Sequence, residues 1–135
     1  MVYLMIDMQG FDPKDLFKLI GLGIESTEDV LRAAGTYRGR NKLHELTGIP
    51  VSELLRMVNR ADLTRLPGVG LRISELMERV GVVTLKKLRH RNPGRLYKLM
   101  YEENERCLLC KRAPTLRAVT DFVRAAQETP TRITY

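Results

Sequence analysis

One short turn in this sequence has the residue types that bind an anion through the backbone, Pro67-Gly68-Val69-Gly70. Proline fixes φ and ends a preceding helix, whereas glycine can adopt positive φ and leaves no Cβ between the backbone and a ligand. Apolar residues then recur at helical spacing up to Gly81, so we expect the turn to lead into a helix N-terminus. Free amides and the positive end of the helix dipole attract anions there. The predicted contacts are the turn amides and two flanking cations: Gly68, Val69, Gly70, Arg65 and Arg72.

A run of basic residues follows this turn. No Asp or Glu occurs between Glu78 and Glu102, whereas residues 1 to 35 hold more acids than bases. The formal net charge of the chain is +7, so the positive excess lies in its second half. Lys and Arg beside a nucleic acid release counterions from its phosphates, and we therefore expect a polyanion as the partner. A basic face that is only solvated is the alternative. The residues of the run that join the predicted site are Lys86, Lys87, Arg89 and Arg91.

The stretch from Leu66 to Gly70, with a small residue at Ser74, resembles the helix-hairpin-helix superfamily, whose members bind the DNA backbone without recognising base sequence. The resemblance implies that the ligand is DNA and that the turn carbonyls can hold a monovalent cation. The residues alone indicate only a hairpin suited to anions. Leu71 stands where Pro or Lys is usual, and Ser74 where Ala is usual. The alternative is a hairpin that only packs two helices together.

An internal repeat relates the two halves of the chain. Met8–Asp12 aligns without gaps on Leu66–Gly70 at an offset of 58, and Pro50–Ala61 resembles Pro114–Ala125 at an offset of 64. Such self-similarity indicates a tandem duplication. We expect one domain over residues 1–135 with a shared core, in which residues 1–62 form a first, degenerate helix-hairpin-helix repeat, residues 63–127 form the second, and residues 128–135 are a C-terminal tail.

The two hairpins are predicted to be functionally unequal. In the first copy Asp12 occupies the place of Gly70, directly before Pro13. The Asp12 carboxylate can cap the helix that Pro13 begins, and it would repel a phosphate. Only the second hairpin is therefore expected to bind DNA.

Capping residues and apolar spacing predict an all-α fold. Ser, Thr, Asp or Asn precedes most of the amphipathic segments, as expected at helix starts. Leu46 and Leu99 are expected to face inward. The predicted helices are a short one within Met1–Met8, then Pro13–Leu22, Ser26–Ala34, Arg38–Leu46, Ser52–Arg60, a short one near Ala61–Arg65, one ending at Gly81, Thr84–His90, one starting at Asn92-Pro93, and Thr115–Gln127.

A second resemblance covers roughly residues 5 to 127. Its signature runs through Arg40–Ile49, Val58–Leu63 and Arg91–Pro93, in that order. These stretches resemble the domain of unknown function 4332 family, built from tandem helix-hairpin-helix units. The resemblance implies a compact all-helical fold and brings no established activity.

Catalytic and metal-binding patterns are sparse. The carboxylates lie at helix starts, where capping explains them, and His44, His90 and Ser74 have no partner visible in the sequence. We therefore expect no enzyme. Cys107 and Cys110 could contribute to a zinc site only with both histidines or a second chain, because a structural zinc has four ligands. The alternative is that both cysteines pack in the core.

Composition indicates a soluble protein. The chain has 135 residues, 44% of them hydrophobic, which suits one domain or two small subdomains sharing a core. No apolar run approaches the roughly 18 residues of a membrane span, and Met1–Gln9 is too short and too acidic for a signal peptide. Two cysteines agree with a reducing compartment. We expect a cytoplasmic protein without a membrane partner.

The function that these observations favour is non-enzymatic, sequence-independent binding to the DNA backbone through the second hairpin. The alternative is a protein-interaction adaptor, in which the hairpins are structural and the C-terminal helix or the acidic N-terminal face binds a partner protein. Salt-dependent binding to duplexes of unrelated sequence distinguishes the two.

Overall fold

Helices make up the regular secondary structure of the protein. The computed structural model describes every residue from Met1 to Tyr135 and contains eight α-helices, preceded by one turn of 3-10 helix. This confirms the all-α fold. The 3-10 turn is Met5–Asp7, and the α-helices are α1 (Pro13–Gly21), α2 (Thr27–Ala34), α3 (Tyr37–Thr47), α4 (Val51–Leu63), α5 (Leu71–Arg79), α6 (Leu85–Arg89), α7 (Pro93–Cys107) and α8 (Leu116–Glu128).

Polar capping residues set most helix starts, as the sequence predicts. The side chains of Ser26, Thr84, Asn92 and Thr115 each accept a hydrogen bond from the backbone N–H three residues ahead. Asp12 accepts one from the N–H two residues ahead, at 2.9 Å. Because a cap typically contributes about 1 kcal/mol, these residues fix where α1, α2, α6, α7 and α8 begin.

Helix α4 corrects one prediction. The sequence suggests one helix ending at Arg60 and a second, short helix near Ala61–Arg65, but Val51–Leu63 is a single helix. No Gly or Pro interrupts it, and its buried stripe of Leu54, Met57 and Val58 continues through Ala61. Local sequence and packing therefore both favour continuity.

The structure also corrects three predictions on the surface. Leu46 is 61% exposed and Leu99 is 42% exposed, because Leu43 and Met100 already fill the buried faces of α3 and α7. In the N-terminal segment, the expected helix is only the 3-10 turn. The residues before that turn are extended, and Leu4 forms an isolated antiparallel bridge with Ser26.

The buried apolar side chains form two clusters rather than the single shared core that the sequence suggests. The first cluster runs from Met5 to Ala61 and includes Ile133, and the second runs from Leu63 to Ala126. Helix α4 contributes to both, since Ala61 belongs to the first and Leu63 to the second. The two halves of the chain are therefore joined through the C-terminal end of α4.

The C-terminal tail packs back onto the first half. Ile133 is buried in the first cluster, and the N–H of Thr134 donates to the carbonyl of Gly35 at 2.8 Å. The guanidinium of buried Arg40 donates to the carbonyls of Ala34 and Thr134. The tail thus covers the end of α2 and holds the following residue, Tyr135, at the protein surface.

Candidate nucleic-acid interface

The predicted anion-binding turn lies between the end of α4 and the start of α5. Gly68 has a φ of 81°, a left-handed value that favours glycine, and a Cβ there would lie 3.2 Å from Cε1 of Phe122. Gly70 has an extended backbone, with φ −86° and ψ −177°, that any residue adopts. A Cβ at Gly70 would lie 3.5 Å from the hydroxyl oxygen of Tyr3, an ordinary contact. The backbone therefore requires glycine at residue 68 but not at residue 70.

Only some of the amides that the sequence assigns to the anion are free. The N–H of Val69 donates to the carbonyl of Leu66 at 3.1 Å, so it closes the turn and cannot also hold a phosphate. The N–H groups of Gly68 and Gly70 have no acceptor within the protein. Further free amides lie at the start of α5, where Gly70 is the N-cap and no side chain caps the helix. The first N–H groups of a helix have no acceptor within it. At the start of α5, the N–H groups without an acceptor belong to Leu71, Arg72 and Ile73.

The start of α5 lines a cleft of about 830 Å³. Three exposed cations border this cleft, Arg72, Lys111 and Arg112, and none of them forms an ion pair. Two acids also border it, Asp7 and the buried Glu75. The cleft therefore offers an anion uncapped amides and a local excess of positive charge.

Arg65 does not belong to this charged surround. Its Nη1 lies 2.6 Å from a carboxylate oxygen of Asp62 and donates a second hydrogen bond, at 3.0 Å, to the carbonyl of Pro130. Asp62 is buried, with 1% of its surface exposed, so Arg65 supplies its counter-charge. The sequence places Arg65 beside the anion, but the structure shows that it fastens the C-terminal tail to α4.

A second concave surface lies beyond the other end of α5. This groove has a volume of about 670 Å³, and four of its side chains are basic. Those four side chains have no ion pair, in agreement with the absence of acids from this part of the sequence. The residues that line the basic groove are Gly81, Thr84, Lys86, Lys87, His90, Arg91 and Tyr135.

Arg89 lies next to the basic groove in sequence but does not line it. Its side chain is half-buried, and its Nε is enclosed by protein without a hydrogen-bond acceptor. Its carbonyl accepts a hydrogen bond from Nε2 of Gln127 in α8, at 3.5 Å. Arg89 is therefore partly engaged in packing α6 against α8, unlike Lys86 and Lys87, which are exposed.

The two sets of predicted contacts lie at opposite ends of α5. Gly70 precedes this helix, and Gly81 follows it with a φ of 88°. A helix of this length spans roughly 14 Å. A single ligand that contacts both the cleft and the basic groove must therefore be an extended polyanion rather than one small anion.

The start of α1 has no free amide to offer an anion, because Pro13 has no N–H and Asp12 accepts from Lys14, Asp15 and Leu16. Asp12 caps α1, and the turn carbonyls are occupied by cations of α4. Arg56 Nη2 donates to the carbonyl of Gly10 at 2.8 Å, and Arg60 Nη1 donates to that of Gln9. The start of α1 therefore has a side-chain cap, whereas the start of α5 has none.

These two arginines form a network that ties the halves together. Both guanidinium groups lie over the ring of Phe11, with Cζ 4.2 Å (Arg56) and 4.6 Å (Arg60) from its centroid. Both also pair with Glu78 of α5, at 3.1 and 2.9 Å. Burial lowers the pKa of Arg60, and Glu78 opposes that effect. The network therefore couples the first turn to α5.

The cysteines and His44 take part in local structure. Cys110 and Asn104 exchange two hydrogen bonds, and burial raises the pKa of the Cys110 thiol. Cys107 and Cys110 belong to no group of three or more His, Cys, Asp or Glu side chains placed to hold a metal ion. Since a structural zinc has four ligands, the residues present do not fit one. Nδ1 of His44 lies 2.7 Å from the carbonyl of Ile49.

Three residues of these surfaces were not predicted from the sequence. Lys111 and Arg112 reach the cleft only because the loop after α7 folds back beside α5, and Tyr135 reaches the basic groove from the tail. No sequence motif marks these residues. The only signal for the first two is their charge, and for Tyr135 there is none.

These features define a class: a small all-helical protein with an uncapped helix start beside one cleft and an unpaired basic groove at the far end of the same helix. The chain belongs to the family described as Domain of unknown function (DUF4332), whose model matches residues 9–129. No curated protein and no solved structure matches the chain. None of its helices is long and apolar enough to cross a membrane.

Proposed function

We propose that this protein binds the backbone of DNA without regard to base sequence and without catalysing a reaction on it. The observation that carries the proposal is the basic groove, in which three cations, Lys86, Lys87 and Arg91, come together without one carboxylate partner. Unpaired cations on a concave surface create a positive field that attracts a polyanion. Contacts to phosphates position a nucleic acid but carry no base information.

The uncapped start of α5 is the second contact of this proposal. Its amides can donate to a phosphate, and Arg72, Lys111 and Arg112 add positive charge beside them. Because the groove and the cleft lie roughly 14 Å apart along α5, they would hold different phosphates of one DNA molecule. Arg65 and the Val69 amide are left out of the interface, because Arg65 is paired with Asp62 and the Val69 amide closes the turn. Arg72 donates one hydrogen bond, from Nη1 to the carbonyl of Leu109 at 3.0 Å, but it has no carboxylate partner.

We also propose that the chain is a tandem pair of helix-hairpin-helix units. Helices α1 and α5 each have nine residues and begin 58 residues apart, at residues 13 and 71. The same spacing relates two pairs of glycines with positive φ, Gly10 with Gly68 and Gly23 with Gly81.

The last helices of the two halves correspond in the same way. Helices α4 and α8 each have 13 residues and begin at residues 51 and 116, a spacing of 65. Their buried residues repeat at that spacing, as Leu54 with Val119 and Ala61 with Ala126. The buried residues of the two helices therefore align at a spacing of 65, one residue more than the offset of 64 suggested by the sequence.

We propose no catalysis because the two possible nucleophiles, Ser74 and Cys110, are buried. Ser74 is fully buried, and its hydroxyl donates to the carbonyl of Leu71 at 2.7 Å, so it has no role as a nucleophile. Cys110 is buried with a raised pKa, which disfavours the reactive thiolate. Neither is paired with a general base.

The test is a salt titration with duplexes of unrelated sequence. We expect similar affinities and a linear fall of log K with log salt, with a slope of about −0.9 per phosphate neutralised. Replacing Lys86, Lys87 and Arg91 with Ala should reduce the size of the slope by up to about 2.7. A flat salt dependence, or one sequence preferred by orders of magnitude, would contradict the proposal.

The matched control removes the same charge elsewhere. Lys14, Arg38 and Lys42 are exposed and form no ion pair, and they lie in the first half, outside both surfaces. Their replacement by Ala should leave the slope nearly unchanged. Equal effects of the two triple variants would mean that only net charge matters and that the groove is not a site.

A protein-interaction adaptor is the second candidate, favoured by an exposed apolar segment. Val2, Leu4 and Ile6 alternate along the N-terminal segment and are 62%, 55% and 59% exposed. Exposed apolar residues that adjoin one another mark interaction sites. A partner protein bound with weak salt dependence, and lost on replacing Leu4 and Ile6 with Ser, would support this candidate over DNA binding.

A further inference from the structure

The basic groove contains one aromatic ring, that of Tyr135, among its cations. Tyr135 is 62% exposed, so its ring is available to a ligand. Its hydroxyl donates to Oδ1 of Asn59 in α4, at 2.9 Å. The preceding residues are also fixed, because Ile133 is buried and Thr134 is hydrogen-bonded at both backbone groups. The ring is thus held in place and does not depend on the ligand for its orientation.

The ring and the cations together fit a nucleotide whose base is unpaired. The bases of a duplex are stacked on one another, so a duplex backbone would use only the cations of the groove. Proteins that bind single strands combine a positive groove with aromatic side chains on which bases stack.

We propose that the basic groove binds a nucleotide of single-stranded DNA, with its base stacked on Tyr135 and its phosphates on Lys86, Lys87 and Arg91. This inference rests on the proposed DNA binding, because both use the same cations. It adds a preference: a strand with an unpaired base in the groove binds more tightly than an intact duplex with equal numbers of phosphates in contact.

The test compares three DNA probes of equal length: an oligothymidine, an oligomer of abasic sites, and a blunt duplex. The oligothymidine should bind most tightly, and the abasic strand should lose at least about fivefold, the lower limit for loss of one stacked base. Tyr135→Ala should weaken oligothymidine binding by the same factor and leave the abasic and duplex affinities unchanged. Since no charge is removed, the salt slope should not change.

Two further variants separate stacking from folding. Tyr135→Phe keeps the ring and loses only the bond to Asn59, so it should bind oligothymidine within about twofold of the original protein. Tyr101→Ala removes a tyrosine that is 47% exposed and outside the groove, and it should have no effect. Thermal melting of each variant shows whether the fold is retained, and Tyr135→Leu provides a second ring-free variant if Tyr135→Ala melts early.

The outcomes keep the two proposals distinguishable. Salt-dependent duplex binding with no difference between oligothymidine and the abasic strand would overturn the stacking site and leave backbone binding intact. Absence of binding to all three probes would overturn both. Thymidine monophosphate bound as tightly as the strand would also overturn the inference, because the groove would then be a site for a free nucleotide.

Discussion

Replacement of Gly70 with Asp should separate the stability of the second hairpin from its binding. The φ and ψ of Gly70 suit an N-cap residue, and a Cβ there meets only the Tyr3 hydroxyl at an ordinary distance. Asp at an N-cap is better than Gly by a few tenths of a kcal/mol, so Gly70→Asp should leave the melting temperature equal or raise it by about 1 °C. The variant is expected to fold and to cap α5 as Asp12 caps α1.

The same carboxylate should repel the phosphate proposed at the start of α5. Two unit charges about 4 Å apart interact by about 1 kcal/mol in water and about 4 kcal/mol near a protein surface. The affinity for a duplex should therefore fall by a factor between about 5 and about 1,000. Fluorescence anisotropy at two salt concentrations, with melting of the same samples, measures both quantities.

The matched change lies in the first half of the chain. Asp12→Ala removes the cap of α1 and should cost about 1 kcal/mol of stability without changing duplex affinity. If Gly70→Asp folds and binds as the original protein does, the start of α5 is not a phosphate site. If Asp12→Ala remains folded but no longer binds the duplex, the assignment of the two turns is reversed.

Three further predictions concern stability. Glu78→Ala should lower the free energy of unfolding by about 1.5–3 kcal/mol in a urea titration, because it removes the carboxylate hydrogen-bonded to the buried Arg60 and leaves only Glu75 as a nearby counter-charge. Arg132→Ala should make the free energy of unfolding depend less steeply on pH in acid. The hydrogen bond from Arg132 lowers the pKa of Glu28 below 4.5. The stabilisation from this bond is therefore present above about pH 4.5 and is lost as the pH falls through the folded-state pKa of Glu28. Gly68→Ala should cost about 1–2 kcal/mol, since φ is 81° there.

Each stability prediction has its own control or contrary outcome. Arg106→Ala removes an arginine whose side chain is 76% exposed, and it should cost well under the Glu78→Ala value. Gly21→Ala, where an added Cβ meets nothing, should be neutral or stabilising, in contrast to Gly68→Ala. Parallel acid-unfolding curves for the original protein and Arg132→Ala would contradict the role given to Glu28.

The elements of the fold that the sequence predicted well are those set by local interactions. Ser26, Thr84, Asn92 and Thr115 cap helices through hydrogen bonds that reach only three residues along the chain. Gly81 is a second kind of local feature, because it adopts a positive φ directly after α5. Such features are visible in a short window because both partners lie in it.

The errors have equally physical causes. Leu46 and Leu99 fit the helical period of α3 and α7, but a helix buries only the part of its apolar stripe that another element covers. Helix α4 was predicted as two helices, Ser52–Arg60 and a short one near Ala61–Arg65, whereas its residues continue one helix from Val51 to Leu63.

By itself, the sequence determined the all-helical class, the caps, the turn with Gly68 and the concentration of positive charge in the second half. Only the tertiary structure decided which cations are free. It engaged Arg65 with Asp62 and the tail, and it brought Lys111 and Arg112 to the start of α5. It also placed Tyr135 beside Lys86, which is distant in sequence. A charge or a ring is a local property, but its availability depends on what the rest of the chain packs against it.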